Sequence, residues 1–69
     1  MNANDMKNLM PGQMIVYNDG RPGHTYSLAV VLDVNESRVV VSFADRADTT
    51  TIGVNDREWT DHLSVEAPA

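Results

Sequence analysis

Residues 25–44, TYSLAVVLDVNESRVVVSFA, decide the fold class of this chain of 69 residues. Apolar side chains alternate with other residues through both halves of the stretch, which is the period-two pattern of β-strands. One face of the first half carries Tyr26, Leu28, Val30, Leu32 and Val34, and the other face carries Ser27, Ala29, Val31 and Asp33. One face of the second half carries Val39, Val41 and Phe43, and the other face carries Val40, Ser42 and Ala44. Because the intervening Asn-Glu-Ser suits a short turn, the stretch predicts a β-hairpin with strands 25–34 and 38–44.

Three further short strands are predicted on either side of this hairpin. They cover residues 13–18, 49–54 and 64–66. Asn55 or Asp56 suits the N-cap of one helical turn that runs to Leu63. Residues 1–10 are polar and weakly patterned, so we expect a partly ordered lead-in, with Asp5 as the cap of a single turn.

Five short strands at roughly ten-residue spacing, with a helical turn before the last, are the element order of an SH3-like small barrel. Nine valines against four leucines also favour strands over helices. An OB-type barrel is the alternative, although it usually needs a longer chain and a helix between the third and fourth strands. We therefore expect one mainly β domain, a five-stranded SH3-like barrel over residues 11–66, followed by a flexible tail, residues 67–69.

Charge and cysteine content exclude several classes of function. The chain has ten acidic and five basic residues, a net charge of −5, and no cysteine. The basic residues are scattered singly, so nucleic-acid binding through phosphate contacts is disfavoured. Without cysteine the domain has neither disulfides nor thiolate metal sites. The longest apolar run, residues 28–32, is too short to cross a bilayer, and residues 1–10 lack the apolar block of a secretory signal, so we expect a cytoplasmic protein.

No combination of residues predicts catalysis. The two histidines, His24 and His62, have no serine or cysteine motif beside them that would supply a nucleophile. Asp45 and Asp48 are close in sequence, but acids in turns are normally solvated. Asp61 and His62 have no third metal ligand at a characteristic spacing. We expect a protein that is not an enzyme, with no cofactor and no metal site.

The aromatic residues suggest a binding surface. Tyr17, Tyr26 and Phe43 lie at the ends of predicted strands, and the ends of strands in a small barrel crowd around one rim. Aromatic rings beside a carboxylate, here Asp45 or Asp19, are suited to holding a cation over their faces. The alternative is that the large rings, Trp59 on the helical turn among them, form the core.

The same stretches resemble the Tudor family of SH3-like barrels. The resemblance runs over residues 10–52, about three-fifths of the chain, and is carried by PGQMIVYNDG (11–20), TYSLAVVLDV (25–34) and RVVVSFADRAD (38–48). It implies a module that recognises methylated lysine or arginine, or a peptide, through aromatic residues at the positions of Tyr17, Tyr26 and Phe43, with Asp45 contacting the cation. The chain departs from the family pattern at Arg46, where the family commonly has another aromatic residue.

Two functions follow as hypotheses. The first is a protein-interaction module, a monomer or weak oligomer, that binds a peptide or protein partner through the aromatic rim or through an exposed edge strand such as residues 49–54. The second is an acidic inhibitor or nucleic-acid mimic that engages a basic protein surface. Its acidic face consists of Asp56, Glu58, Asp61 and Glu66.

Overall fold

The computed structural model describes residues 1–18 and 26–65. Within them the chain is mainly β, as predicted, and all five strands lie in one antiparallel sheet in the order β4-β3-β2-β1-β5. The sheet is open in the described residues, with β4 and β5 at its two edges. The elements are α1 (Ala3–Lys7), β1 (Met14–Tyr17), β2 (Ser27–Val34), β3 (Arg38–Phe43), β4 (Thr49–Gly53), α2 (Arg57–Thr60) and β5 (Leu63–Val65).

The predicted hairpin is present as β2 and β3. Its turn is built on Asn35, whose side-chain Oδ1 accepts hydrogen bonds from the backbone N–H groups of Ser37 and Arg38, both at 2.9 Å. The Asn35 N–H donates to the Arg38 carbonyl at 3.0 Å. An asparagine that imitates a backbone turn in this way reverses the chain within three residues.

A bulge in β2 changes which face of the strand its last residues occupy, in contrast to the prediction. The register pairs Val31 with Val41 but Asp33 with Val40, so Leu32 is the extra residue. A bulge breaks the period of two, and Val34 therefore turns towards the core while Leu32 stays exposed. The prediction that Val34 shares a face with Leu28 and Leu32 is wrong for this reason.

The core lies on one side of the sheet. In β3 the predicted alternation is confirmed, since Val39, Val41 and Phe43 are all buried. In β2 the buried residues are Ala29 and Val31, which belong to the face with the smaller side chains. Residues from every strand, from the segment around α1 and from the position just after β4 share this core: Met6, Leu9, Ile15, Ala29, Val31, Val39, Val41, Phe43, Ile52, Val54 and Leu63.

The first helix has a different cap from the predicted one. Asn2 is the N-cap, and its side chain accepts from the Asp5 N–H at 2.8 Å, while the Asp5 carboxylate accepts from the Asn2 N–H at 3.2 Å. This reciprocal pair is a capping box, in which Asp5 holds the third helical position and not the cap itself. Met6 on this helix is fully buried and Leu9 is 5% exposed, so residues 1–10 supply part of the core.

The second helix is shorter than predicted. Asp56 is its N-cap, although the Asp56 side chain makes no capping hydrogen bond, and the helix ends at Thr60. Leu63 therefore begins β5 and does not end the helical turn. Glu66, the last residue of the predicted final strand, and the predicted tail 67–69 lie outside the described residues.

Candidate functional site

An aromatic cluster lies between β1, β3 and α2. The Trp59 ring lies 5.1 Å from the Tyr17 ring and 5.8 Å from the Phe43 ring, measured between centroids. The His62 ring meets Tyr17 edge-on at 5.8 Å. Phe43 is buried and Tyr17 and Trp59 are half-buried, so the cluster ties α2 to the sheet. Tyr17 and Phe43 are thus brought together through Trp59, a residue that the sequence reasoning placed in the core alternative.

The position over the Phe43 ring where an external cation would bind is occupied by the side chain of Arg46. The Arg46 guanidinium carbon lies 5.5 Å from the centroid of the Phe43 ring, which is within cation–π range. Asp45 is exposed in the turn after β3. An external cation at this ring would have to displace Arg46.

Tyr26 stands apart from the aromatic cluster. It immediately precedes β2 and is 69% exposed. None of the ring contacts among the described residues involves it. Of the predicted rim, the structure therefore joins Tyr17 and Phe43 through Trp59, leaves Asp45 exposed in the turn after β3, and separates Tyr26.

The described part of the predicted acidic face surrounds α2. Asp56, Glu58 and Asp61 are all exposed. Arg57 lies among them, and its Nε is 3.8 Å from the Asp61 Oδ2. The fourth predicted member, Glu66, lies outside the described residues. Arg57 thus partly neutralises this group of carboxylates.

Met1 is hydrogen-bonded to the β5 edge of the sheet. Asn18 donates its N–H to the His62 carbonyl at 2.9 Å. Because hydrogen-bonded pairs alternate along an antiparallel ladder, the Leu63 carbonyl points away from β1. The Met1 ammonium donates to that Leu63 carbonyl at 3.2 Å and also to the Thr60 carbonyl. Met1 therefore occupies a backbone group that an incoming strand would otherwise use.

Among the described residues, no strand pairs with the outer side of β4. Val54 donates its N–H to the Ser37 carbonyl at 3.0 Å, and the alternation of the ladder then directs the backbone groups of Thr50 and Ile52 to β3 and those of Thr49 and Thr51 outward. No turn or loop hydrogen bond between described residues uses these outward groups of Thr49 and Thr51.

The sequence and pairing of β4 lack the features that usually protect an edge strand. Its sequence is Thr-Thr-Thr-Ile-Gly, with no charged residue and no proline, and its pairing with β3 runs in one unbroken register. Natural proteins shield edges with lysine, proline, bulges or a covering segment. In the described residues β4 has no lysine, no proline and no bulge, and its outward backbone groups follow the pattern that an added strand needs.

The surface of the sheet that faces away from the core is also apolar. Cross-strand pairs join Met14 to Val30 and Val16 to Leu28. Met14 is 44% and Leu28 38% exposed. We call this surface the outer patch, and it consists of Met14, Val16, Leu28, Val30, Ser42 and Ala44. A shallow depression of about 290 Å³ runs along it. The sequence reasoning missed the patch, although the second apolar face of residues 25–34 was its signal.

Three specific features are absent from residues 1–18 and 26–65. No group of three His, Asp or Glu side chains there is placed to hold a metal ion. Neither α1 nor α2 has the length and apolar character that crossing a membrane requires. Every buried side-chain nitrogen or oxygen among these residues has a hydrogen-bond partner.

Comparison with protein-family models, curated proteins and solved structures finds no match to this chain.

Proposed function

We propose that this protein is a non-enzymatic interaction module that binds an extended segment of a partner protein at the β4 edge. The observation that carries the proposal is the outward direction of the Thr49 and Thr51 backbone groups on an uncharged strand. In β-strand addition, such groups pair with the backbone of an incoming strand, and alternate side chains supply selectivity. The bound strand would become the sixth strand of the sheet.

The same proposal includes an SH3-like, Tudor-like architecture. Its support is the order of the elements, since the first strand lies between the second and the last and a single helical turn precedes the last strand. The open edge at β4 is where closure of such a barrel would begin. A partner strand at β4 would extend the open sheet at that edge.

Two other modes have weaker support. A cation-binding rim needs Tyr17, Tyr26 and Phe43 together, but Tyr26 is separated and Arg46 already lies over the Phe43 ring. The acidic-inhibitor function has a specific observation in its favour, the exposed carboxylates around α2. Arg57 lies within that group at 3.8 Å from Asp61, which reduces its negative potential.

The test compares two substitutions at one position. Partners are captured from a lysate of the source organism with the wild-type protein, with Thr51→Pro and with Thr51→Val, and are identified by mass spectrometry. Proline removes the outward N–H of residue 51, whereas valine keeps the N–H and the β-branched shape. We expect Thr51→Val to retain the partner and Thr51→Pro to lose it by about tenfold or more in affinity.

A peptide from the captured partner then locates the contact. In amide hydrogen exchange we expect new protection at Thr49 and Thr51 upon binding. Equal capture by Thr51→Pro and wild type would contradict the proposal. Chemical-shift changes centred on Tyr17, Phe43 and Asp45 would support the rim instead, and binding that vanishes at high salt with contacts around Glu58 would support the acidic face.

A further inference from the structure

We propose that the outer patch docks a second element, an amphipathic helix of about twelve residues from a partner protein, whose apolar stripe is flanked by lysine or arginine. This surface is separate from the β4 edge, so the inference does not rest on strand addition. Three properties of the patch carry it: continuous apolar character, size and surrounding charge.

The apolar character is continuous across three strands. Met14 and Val16 on β1 lie directly opposite Val30 and Leu28 on β2. On the far side of β2, Val30 faces Ser42, and the Ala44 N–H donates to the Leu28 carbonyl at 2.9 Å. No member of the patch is charged, and its small members, Ser42 and Ala44, border the depression of about 290 Å³. Large side chains on one side and small ones on the other make a trough that accepts a row of apolar side chains.

The size of the sheet surface favours a helix over a second copy of the chain. Five strands about 4.8 Å apart and about five residues long give a surface of roughly 24 by 17 Å, or about 400 Å². A stable symmetric dimer buries about 800 Å² on each partner. A helix of twelve residues is about 18 Å long and about 10 Å wide, so it fits this surface and covers the patch completely.

The surrounding charge selects a basic partner. Asp33 lies opposite Val40 on the outer face, and Asp45 follows Ala44 in the turn after β3; both residues are exposed. Arg46 is directed to the Phe43 ring, and Arg38 shares the outer face with Val40, so one guanidinium offsets one of the two carboxylates. With a net charge of −5 over the whole chain, a helix flanked by cations is steered to this surface and an acidic helix is repelled.

The experiment uses a synthetic helical peptide of about twelve residues, with leucines at positions i, i+3, i+4 and i+7 and lysines at both ends. Two control peptides accompany it: a scrambled peptide of identical composition, and one with glutamates in place of the lysines. Each is titrated into the isotope-labelled full chain and followed by NMR. We expect amide shifts at Met14, Val16, Leu28 and Val30 with the first peptide, and binding weaker by about tenfold or more with either control.

Protein variants complete the test. Leu28→Lys and Met14→Lys each place a charge in the patch at an exposed position, and we expect either to weaken binding of the first peptide by about tenfold. Asn4→Lys adds the same charge at an exposed position of α1, on the core side of the sheet, and should leave the affinity unchanged. Two Lys variants are used so that a folding defect in one still leaves the other to test the prediction. Thermal unfolding of each variant verifies that it is folded.

Three results would overturn the proposal. The first is equal binding of the scrambled peptide, which would mean unspecific adhesion. The second is a set of shifts confined to β4 or to the aromatic cluster. The third is concentration-dependent self-association in sedimentation that Leu28→Lys abolishes, which would identify a second copy as the occupant. Failure of the helix peptide leaves the Thr51→Pro capture result unaffected, so the two proposals fail separately.

Discussion

Proline at two neighbouring positions of β4 tests the direction of its backbone groups. Thr50 pairs with the fully buried Val41 and shares the ladder bonds with β3, whereas the N–H of Thr51 points to the open edge. Thr50→Pro removes the donor to the Val41 carbonyl. The lost hydrogen bond costs about 1 kcal/mol and the unpaired buried carbonyl about 1–3 kcal/mol, so the total is about 2–4 kcal/mol.

Thr51→Pro should change stability little. Its ring replaces an N–H that bonds no strand, which is the edge position where proline is tolerated. We expect a change of less than about 1 kcal/mol, partly offset by the reduced freedom of the unfolded chain. Since a domain of this length has a total stability of roughly 3–10 kcal/mol, the two variants should be clearly separated.

Urea unfolding followed by the fluorescence of the single tryptophan, Trp59, measures the difference. For a domain of this size, Thr50→Pro should also lower the melting temperature by roughly 10–25 °C. Equal destabilisation by Thr50→Pro and Thr51→Pro would refute the assigned direction of the β4 backbone. A larger loss from Thr51→Pro would refute the register itself and, with it, the open edge.

Two further predictions concern the core. Met6 is fully buried on α1, so Met6→Ala should lower the free energy of unfolding by about 2–4 kcal/mol. The exposed neighbour Lys7 should tolerate alanine within about 0.5 kcal/mol. Chemical denaturation measures both variants, and an unchanged midpoint for Met6→Ala would show that α1 is dispensable for stability. Trp59 contacts both Tyr17 and Phe43, so Trp59→Ala should cost about 2–3 kcal/mol in thermal unfolding followed by circular dichroism. Tyr17→Phe keeps the ring contact and should cost less than about 1 kcal/mol, and a larger loss there than in Trp59→Ala would contradict packing as the cause.

The strands could be predicted from sequence because their pattern is local. In β3, Val39, Val41 and Phe43 alternate with less apolar neighbours, and the buried set follows directly. β2 is different because both of its faces are apolar, so periodicity alone leaves its orientation open. The choice is made by partners on other strands: Ala29 lies opposite both Ile15 and Phe43, where a small side chain leaves room for two large ones.

The candidate sites depended on longer-range information. Trp59 joins Tyr17 to Phe43 only because α2 packs across the ends of β1 and β3, a contact that no sequence spacing encodes. The predicted edge strand did prove to lie at an edge, but which of its amides face outward follows from the pairing register. The outer patch was missed because, on a strand predicted to belong to a barrel, the second face is expected to lie in solvent or to be covered by neighbouring side chains.

The position of β1 has a consequence for the order of folding. β2, β3 and β4 pair with their sequence neighbours, so these strands can associate as soon as they leave the ribosome. β1 lies between β2 and β5, and its residue Ile15 waits for Val65, about 50 positions further along the chain. Distant pairings form late because closing the long loop costs entropy before any contact compensates. Until its last strand emerges, a nascent chain therefore exposes two unpaired strand edges, those of β1 and β4. The period in which it is most prone to aggregation ends only when β5 pairs with β1.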